Sequence, residues 1–186
     1  MKLHSMPIRM MDFVPGSLGA RRGWPLAWLS LACWLTVGCA ANVVLDAGAP
    51  AGFDLGGTWV LDPIASDVTP DVRKLRARGV RIAMVVGDFP VLRCRRMEIE
   101  QNADSMGIAY DGGSYRDVSW GVRQRGLWEV NAGWDAGELR ILSEARDAEA
   151  EETMILTDAG RRLVVRVSIE ADGDELIVTR VFRREL

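Results

Sequence analysis

Leu163-Val164-Val165-Arg166-Val167-Ser168-Ile169-Glu170 decides the fold. Leu163, Val165, Val167 and Ile169 are apolar, and apart from Val164 the residues between them are polar or charged. Successive side chains of a strand point to opposite faces, so this segment buries one face and wets the other. The same period of two runs through Met97-Glu98-Ile99-Glu100, Trp120-Gly121-Val122-Arg123 and Trp128-Glu129-Val130. Asn102-Ala103-Asp104, Asp111-Gly112-Gly113, Asn131-Ala132-Gly133, Asp158-Ala159-Gly160 and Asp172-Gly173-Asp174 punctuate these runs with residues that accept positive φ or bond their own backbone. The spacing predicts a mainly β protein of about eight antiparallel strands, each paired with its neighbour in sequence, as a sandwich or an up-and-down barrel.

One segment departs from this period. After Thr69-Pro70-Asp71, which reads as a capped helix start, Val72, Leu75, Gly79, Ile82 and Val86 recur every three or four residues, and Arg73, Lys74, Arg76, Arg78 and Arg81 fill the other face. This predicts one amphipathic basic helix over 70–86. Gly79 weakens it by about 1 kcal/mol relative to Ala, and Gly87-Asp88-Phe89-Pro90 ends it. Such a helix either caps the strands or lies on anionic lipid.

The chain has 186 residues, 48% of them apolar, and three cysteines, too few for a disulfide-built scaffold. Its front is unlike the rest. Arg21-Arg22 is followed by an uncharged apolar run to Cys39, about 16 residues and roughly 24 Å as a helix, short of the roughly 30 Å of a membrane's hydrocarbon. A basic pair, a short apolar block and small residues form a secretory signal, starting at Met1, Met10 or Met11. Its end, Leu35-Thr36-Val37-Gly38-Cys39, resembles a bacterial lipoprotein signal. The resemblance implies acylation of Cys39, with membrane lipid as its partner, and Ala40 behind it implies the outer membrane, facing the periplasm. The alternative is a plain signal cleaved near Ala40 or Ala41, giving a soluble periplasmic or secreted protein. The expected organisation is signal 1–38, flexible tether 39–53 and one β domain 54–186.

Cleavage before Cys39 removes His4, the only histidine, and leaves 19 Lys and Arg against 25 Asp and Glu, a formal charge of −6. Without histidine there is no Ser-His-Asp or Cys-His arrangement, and the acidic balance argues against a nucleic-acid partner. Cys94, between Arg93 and Arg95-Arg96, reads as a small, partly buried strand residue. No cofactor, metal site or reaction is expected, and the chain reads as non-enzymatic.

Gly56-Gly57-Thr58-Trp59-Val60-Leu61-Asp62-Pro63-Ile64-Ala65-Ser66-Asp67 resembles the opening of small lipocalin-like bacterial envelope proteins, and Gly57-Thr58-Trp59 fits the G-x-W start of lipocalins. The resemblance implies a barrel with Trp59 at its closed end under an arginine from the last strand. Arg180, Arg183 and Arg184 are the candidates, and Arg183 is the one assigned.

Trp120, Val122, Trp128 and Val130 share one parity and, with Trp134, Tyr110 and Tyr115, either line an apolar pocket or fill the interior. Trp120, Val122, Trp128, Tyr110 and Tyr115 are the candidate ligand-binding residues. Glu98 and Glu100, and Asp147 with Glu149, Glu151 and Glu152 before a strand, read as solvated carboxylates. The expectation is a membrane-anchored lipoprotein whose lipocalin-like domain binds an apolar small molecule or lipid. The alternative is an envelope interaction or structural module with a filled barrel and no ligand.

Overall fold

A computed structural model describes residues 44–185. The expected signal and Cys39 lie outside the described residues. Ten strands follow in order: β1 Gly57–Leu61, β2 Arg96–Gln101, β3 Ser105–Tyr110, β4 Tyr115–Ser119, β5 Gly121–Arg125, β6 Trp128–Asp135, β7 Glu138–Ala145, β8 Ala148–Thr157, β9 Arg162–Ala171 and β10 Asp174–Arg184. They form one antiparallel sheet in the order β4-β3-β2-β1-β10-β9-β8-β7-β6-β5. Pairing of β1 with β10 curls the sheet into the expected lipocalin-like barrel, nearly closed, with ten strands where the turn spacing suggested about eight. Asn131-Ala132-Gly133 is not a turn but the middle of β6, whose ends are the reversals at Gly126-Leu127 and Ala136-Gly137.

The helical segment is divided. Helix α1 spans Val72–Arg78 and α2 spans Val80–Val85, because Gly79 between them is extended at φ −158° and ψ 133°. A Cβ at Gly79 would lie 2.6 Å from Asp174 Oδ2, so a larger residue there would have to displace that carboxylate. The cap is Asp71, not Thr69: its carboxylate accepts from the amides of Arg73 and Lys74. Leu75, Ile82, Val85 and Val86 are buried, while the basic residues of α1 stay in solvent.

Strand β1 has five residues and β10 eleven, so most of the free edge of β10 would stand open. Residues 62–69 cover it. The Asp62 amide donates to Val181 O at 2.8 Å, and the Thr179 amide donates to the Asp67 carboxylate at 2.7 Å. This covering explains why both faces of β10 are apolar at 178–182: Val178 and Phe182 face the core, and Val181 is buried beneath the 62–66 segment.

The barrel interior is packed. Met106, Ile108, Leu139, Ile141, Met154, Val165 and Ile169 carry no accessible surface, so no hollow lies between them. Residues 44–53, read as tether, partly dock. Asp46 pairs with Trp134 through two backbone hydrogen bonds of 2.9 and 2.8 Å, at a place where a Cβ on Gly133 would lie 2.5 Å from Asp46 O.

The outer face carries an unusual row. Glu129, Glu144, Glu149, Glu170 and Glu175 stand opposite one another, rung by rung, across β6, β7, β8, β9 and β10, and all five are exposed. Like charges directly opposite destabilise a sheet. Glu149→Lys, in the centre of the row, is therefore expected to raise the melting temperature by a few degrees at low salt. The gain should shrink in about 1 M salt, where the screening length is about 3 Å. A melting temperature that falls in both conditions would contradict the repulsion.

Candidate functional site: the open seam between β4 and β5

Strands β4 and β5 are consecutive in sequence yet unpaired, so the barrel has one seam. Trp120 separates them, and Gly121 at φ 80° turns the chain out of the β4 direction. This break also ends the parity that ran from Trp120 to Val130 in the sequence. Trp120 is buried, Val122 is 54% exposed, and residues 122–125 of β5 are exposed on both faces.

One end of the seam is sealed. Trp120 and Trp134 meet with ring centroids 4.5 Å apart, Phe53 sets its edge against Trp134 at 6.0 Å, and the Trp120 indole donates to Ala103 O at 2.9 Å. The other end opens into a cleft of about 340 Å³ walled by Phe89, Leu127, Trp128 and Val130, with Arg116 and Ser143 deeper and Arg125 and Asp88 on the rim. A second cleft of about 290 Å³ runs on between the two strand edges and shares Arg116, Arg125 and Val130. Trp128 is fixed there by an edge-to-face contact with Phe89 at 5.8 Å and by donation of its indole N–H to Asp88 Oδ2 at 3.1 Å.

Beneath the cleft lies a polar cluster inside the barrel. Arg116 of β4 donates through Nη1 to Glu152 Oε2 of β8, and both side chains are almost wholly buried. Tyr110 of β3 is buried beside them, and the Phe89 ring lies 5.8 Å from the Arg116 guanidinium carbon. Burial is the largest single influence and acts against the Arg116 cation, but Glu152 and Tyr110 together outweigh it and hold the pKa above the usual arginine range. Burial, reinforced by Glu152, pushes the Tyr110 phenol up, so its proton stays on. On the rim, burial and then the charge of Arg116 lower the pKa of Arg125. Among the described residues Arg116 Nε and Glu152 Oε1 have no hydrogen-bond partner, and the Tyr110 hydroxyl lies against the Arg116 guanidinium. Buried polar atoms are seldom left so, and each such atom needs a reason.

Of the residues named from sequence, Trp128 lines the cleft and Tyr110 belongs to the cluster behind it, while Trp120 helps seal the far end. Val122 and Tyr115 are outside. Tyr115 is 63% exposed and sets its hydroxyl end over Gly107, whose missing Cβ makes the room. Arg116, Phe89 and Leu127 were missed, and Glu152, read from the sequence as a solvated carboxylate before a strand, is instead fully buried within β8. Glu152 shares the parity of Ala148, Ala150 and Met154, and Arg116 that of Val118, so alternation alone marks both as inward-facing.

The closed end corrects one assignment. Trp59 is fully buried, with its indole donating to Leu55 O at 2.8 Å, and the arginine over it is Arg184, 4.5 Å from the ring centroid. Trp59 and Arg184 are register partners and therefore share a face. Arg183, one residue away, points to the other face and forms an ion pair with Asp62 at 2.7 Å, holding that carboxyl below its usual range. Cys94 lies in the turn before β2 rather than in a strand. It is buried with its thiol pushed up to about 12, chiefly by that burial, so the thiol keeps its proton at neutral pH.

The chain matches no protein-family model and no curated protein. Solved structures do match. The fluorescent protein UnaG aligns with a TM-score of 0.50 and 16% identity, over 70% of this chain and 97% of that one. This likeness shows a shared fold. Two further matches are fatty-acid-binding protein 1 of Echinococcus granulosus (TM-score 0.47, 10% identity, 71% of this chain and 98% of that one) and zebrafish ileal bile acid-binding protein complexed with cholic acid (0.46, 15%, 70% and 98%).

Proposed function

We propose that the barrel is a non-catalytic binding module for an apolar small molecule or lipid, and that it takes this ligand in the seam cleft rather than in a hollow interior. The observation that carries the reading is the cleft itself: a concave site of about 340 Å³ with aromatic and aliphatic walls and buried, unpaired polar atoms behind it. Ligand sites combine these features, and their volumes begin near 300 Å³. Titrating the protein with 1-octanol while following tryptophan emission tests this, with Trp128 as the reporter. A saturable change is expected in the wild type and its loss in Val130→Trp, which fills the cleft. An emission that stays flat up to the solubility limit would contradict the reading.

We also propose that Cys39 anchors the module in the cell envelope, at the outer membrane. This rests on the sequence of 21–40. Mass spectrometry of the mature protein should give an acylated N-terminal Cys39, and any other N-terminus ends the anchored version.

A second reading, an envelope interaction module, is favoured by the packed interior and by the surface of the helical segment. Arg73, Lys74 and Arg76 are exposed there, and Val80 and Met84 are about 60% exposed. It predicts a stoichiometric protein partner, recovered from detergent-treated envelope and lost when Arg73 and Arg76 are reversed in charge.

A further inference from the structure

The seam cleft is cationic at first sight, with Arg116 and Arg125 in its lining. The carboxylates change that. Glu152 neutralises Arg116 from behind, and Asp88 stands across the rim from Arg125, so two positive charges face two negative ones. The buried polar atoms left without a partner among the described residues have the same mixed character: Arg116 Nε–H is a donor and Glu152 Oε1 an acceptor.

From this balance we propose that the cleft selects uncharged amphiphiles whose head carries both an acceptor and a donor, such as a primary amide, and discriminates against carboxylate heads. The proposal rests on the reading of the cleft as a ligand site and adds the class of head that it takes. An amide carbonyl at the foot of the cleft meets the positive side chain of Arg116, one of the lining residues, and leaves the Arg116–Glu152 pair intact. A carboxylate brings a third negative charge to a site where the arginine is already paired. Arg125, which forms no ion pair among the described residues, is exposed on the rim, so it offsets little of the hydration that a carboxylate loses on descending to Arg116. A protonated amine meets the same difficulty with the sign reversed, because its charge faces Arg116 and Arg125.

The test uses one eight-carbon chain with three heads, octanamide, octanoate and octylammonium, at about pH 7.5, where the acid is ionised and the amine protonated. Binding to the wild-type protein is followed by tryptophan emission and by calorimetry. Octanamide is expected to bind at least about tenfold more tightly than either charged analogue. Glu152→Gln keeps the shape of the side chain and removes its charge, which frees the Arg116 cation, so octanoate should then overtake octanamide. Octanoate binding as well as octanamide to the wild type overturns the proposal, and so does an order of heads that Glu152→Gln leaves unchanged. Should Glu152→Gln fail to fold, the order of the three heads on the wild type decides alone. Absence of binding by all three, with 1-octanol also silent, sinks the ligand-site reading itself, an outcome distinct from binding with the wrong preference.

Discussion

Glu152→Leu is expected to destabilise the protein by about 3–5 kcal/mol, because it leaves the Arg116 guanidinium buried without its counter-charge. The pair sits inside a barrel whose neighbouring positions, Ile108, Ile141 and Met154, exclude water completely, so solvent cannot take over the role of the carboxylate. Single domains are stable by about 5–15 kcal/mol, and the variant should therefore be marginal at room temperature. The paired replacement Arg116→Met with Glu152→Leu removes both charges and should recover most of the loss, since apolar substitutes for a buried ion pair are often neutral or better. Urea denaturation of the two single variants and the double variant measures this. Additive losses in the double variant would show that the two side chains do not act as a pair.

Trp59→Ala is expected to cost about 3–5 kcal/mol, the range for removing a fully buried large aromatic side chain. Three features of the closed end fail together. The indole no longer fills the space between β10 and β2, the two neighbours of β1, and the hydrogen bond to Leu55 O is lost. The Arg184 guanidinium also loses its aromatic face, a contact worth about 0.5–2 kcal/mol. Arg184 itself donates to the carbonyls of Asp54, Gly56 and Gly160, so the same unit fastens the segment before β1 to the turn between β8 and β9. Arg183→Ala is the control. Its side chain is largely in solvent and pairs only with Asp62, so it should cost far less than Arg184→Ala. Equal losses at 183 and 184 would contradict the face assignment.

The antiparallel barrel was legible in the sequence because its long strands alternate cleanly, as at 163–170, and because most reversals carry residues suited to positive φ. The register of the last strand was not. At 176–182 both faces carry apolar residues: Ile177 on the outer face stays exposed, whereas Val181 is buried where the 62–66 segment, more than a hundred residues distant in sequence, pairs with β10. The choice of Arg183 over Arg184 beneath the resemblance failed for the same reason, since one residue of parity decides which face an arginine occupies. The seam was hidden because Trp120, Val122, Trp128 and Val130 share one parity in the sequence, whereas the backbone turns at Gly121 and β5 swings out with both faces wet. The ionic centre was visible in principle: Glu152 among Ala148, Ala150 and Met154 is a charge at inward positions, and such a residue calls for a buried partner.

The most direct test of the seam cleft as the binding site is an amide and indole NMR titration of the protein with octanamide. Shifts concentrated at Phe89, Gly126, Leu127, Val130 and the Trp128 indole are the predicted result. Saturable binding whose shifts fall instead on α1 and α2, or at the closed end around Trp59 and Arg184, would place the ligand elsewhere and contradict the account.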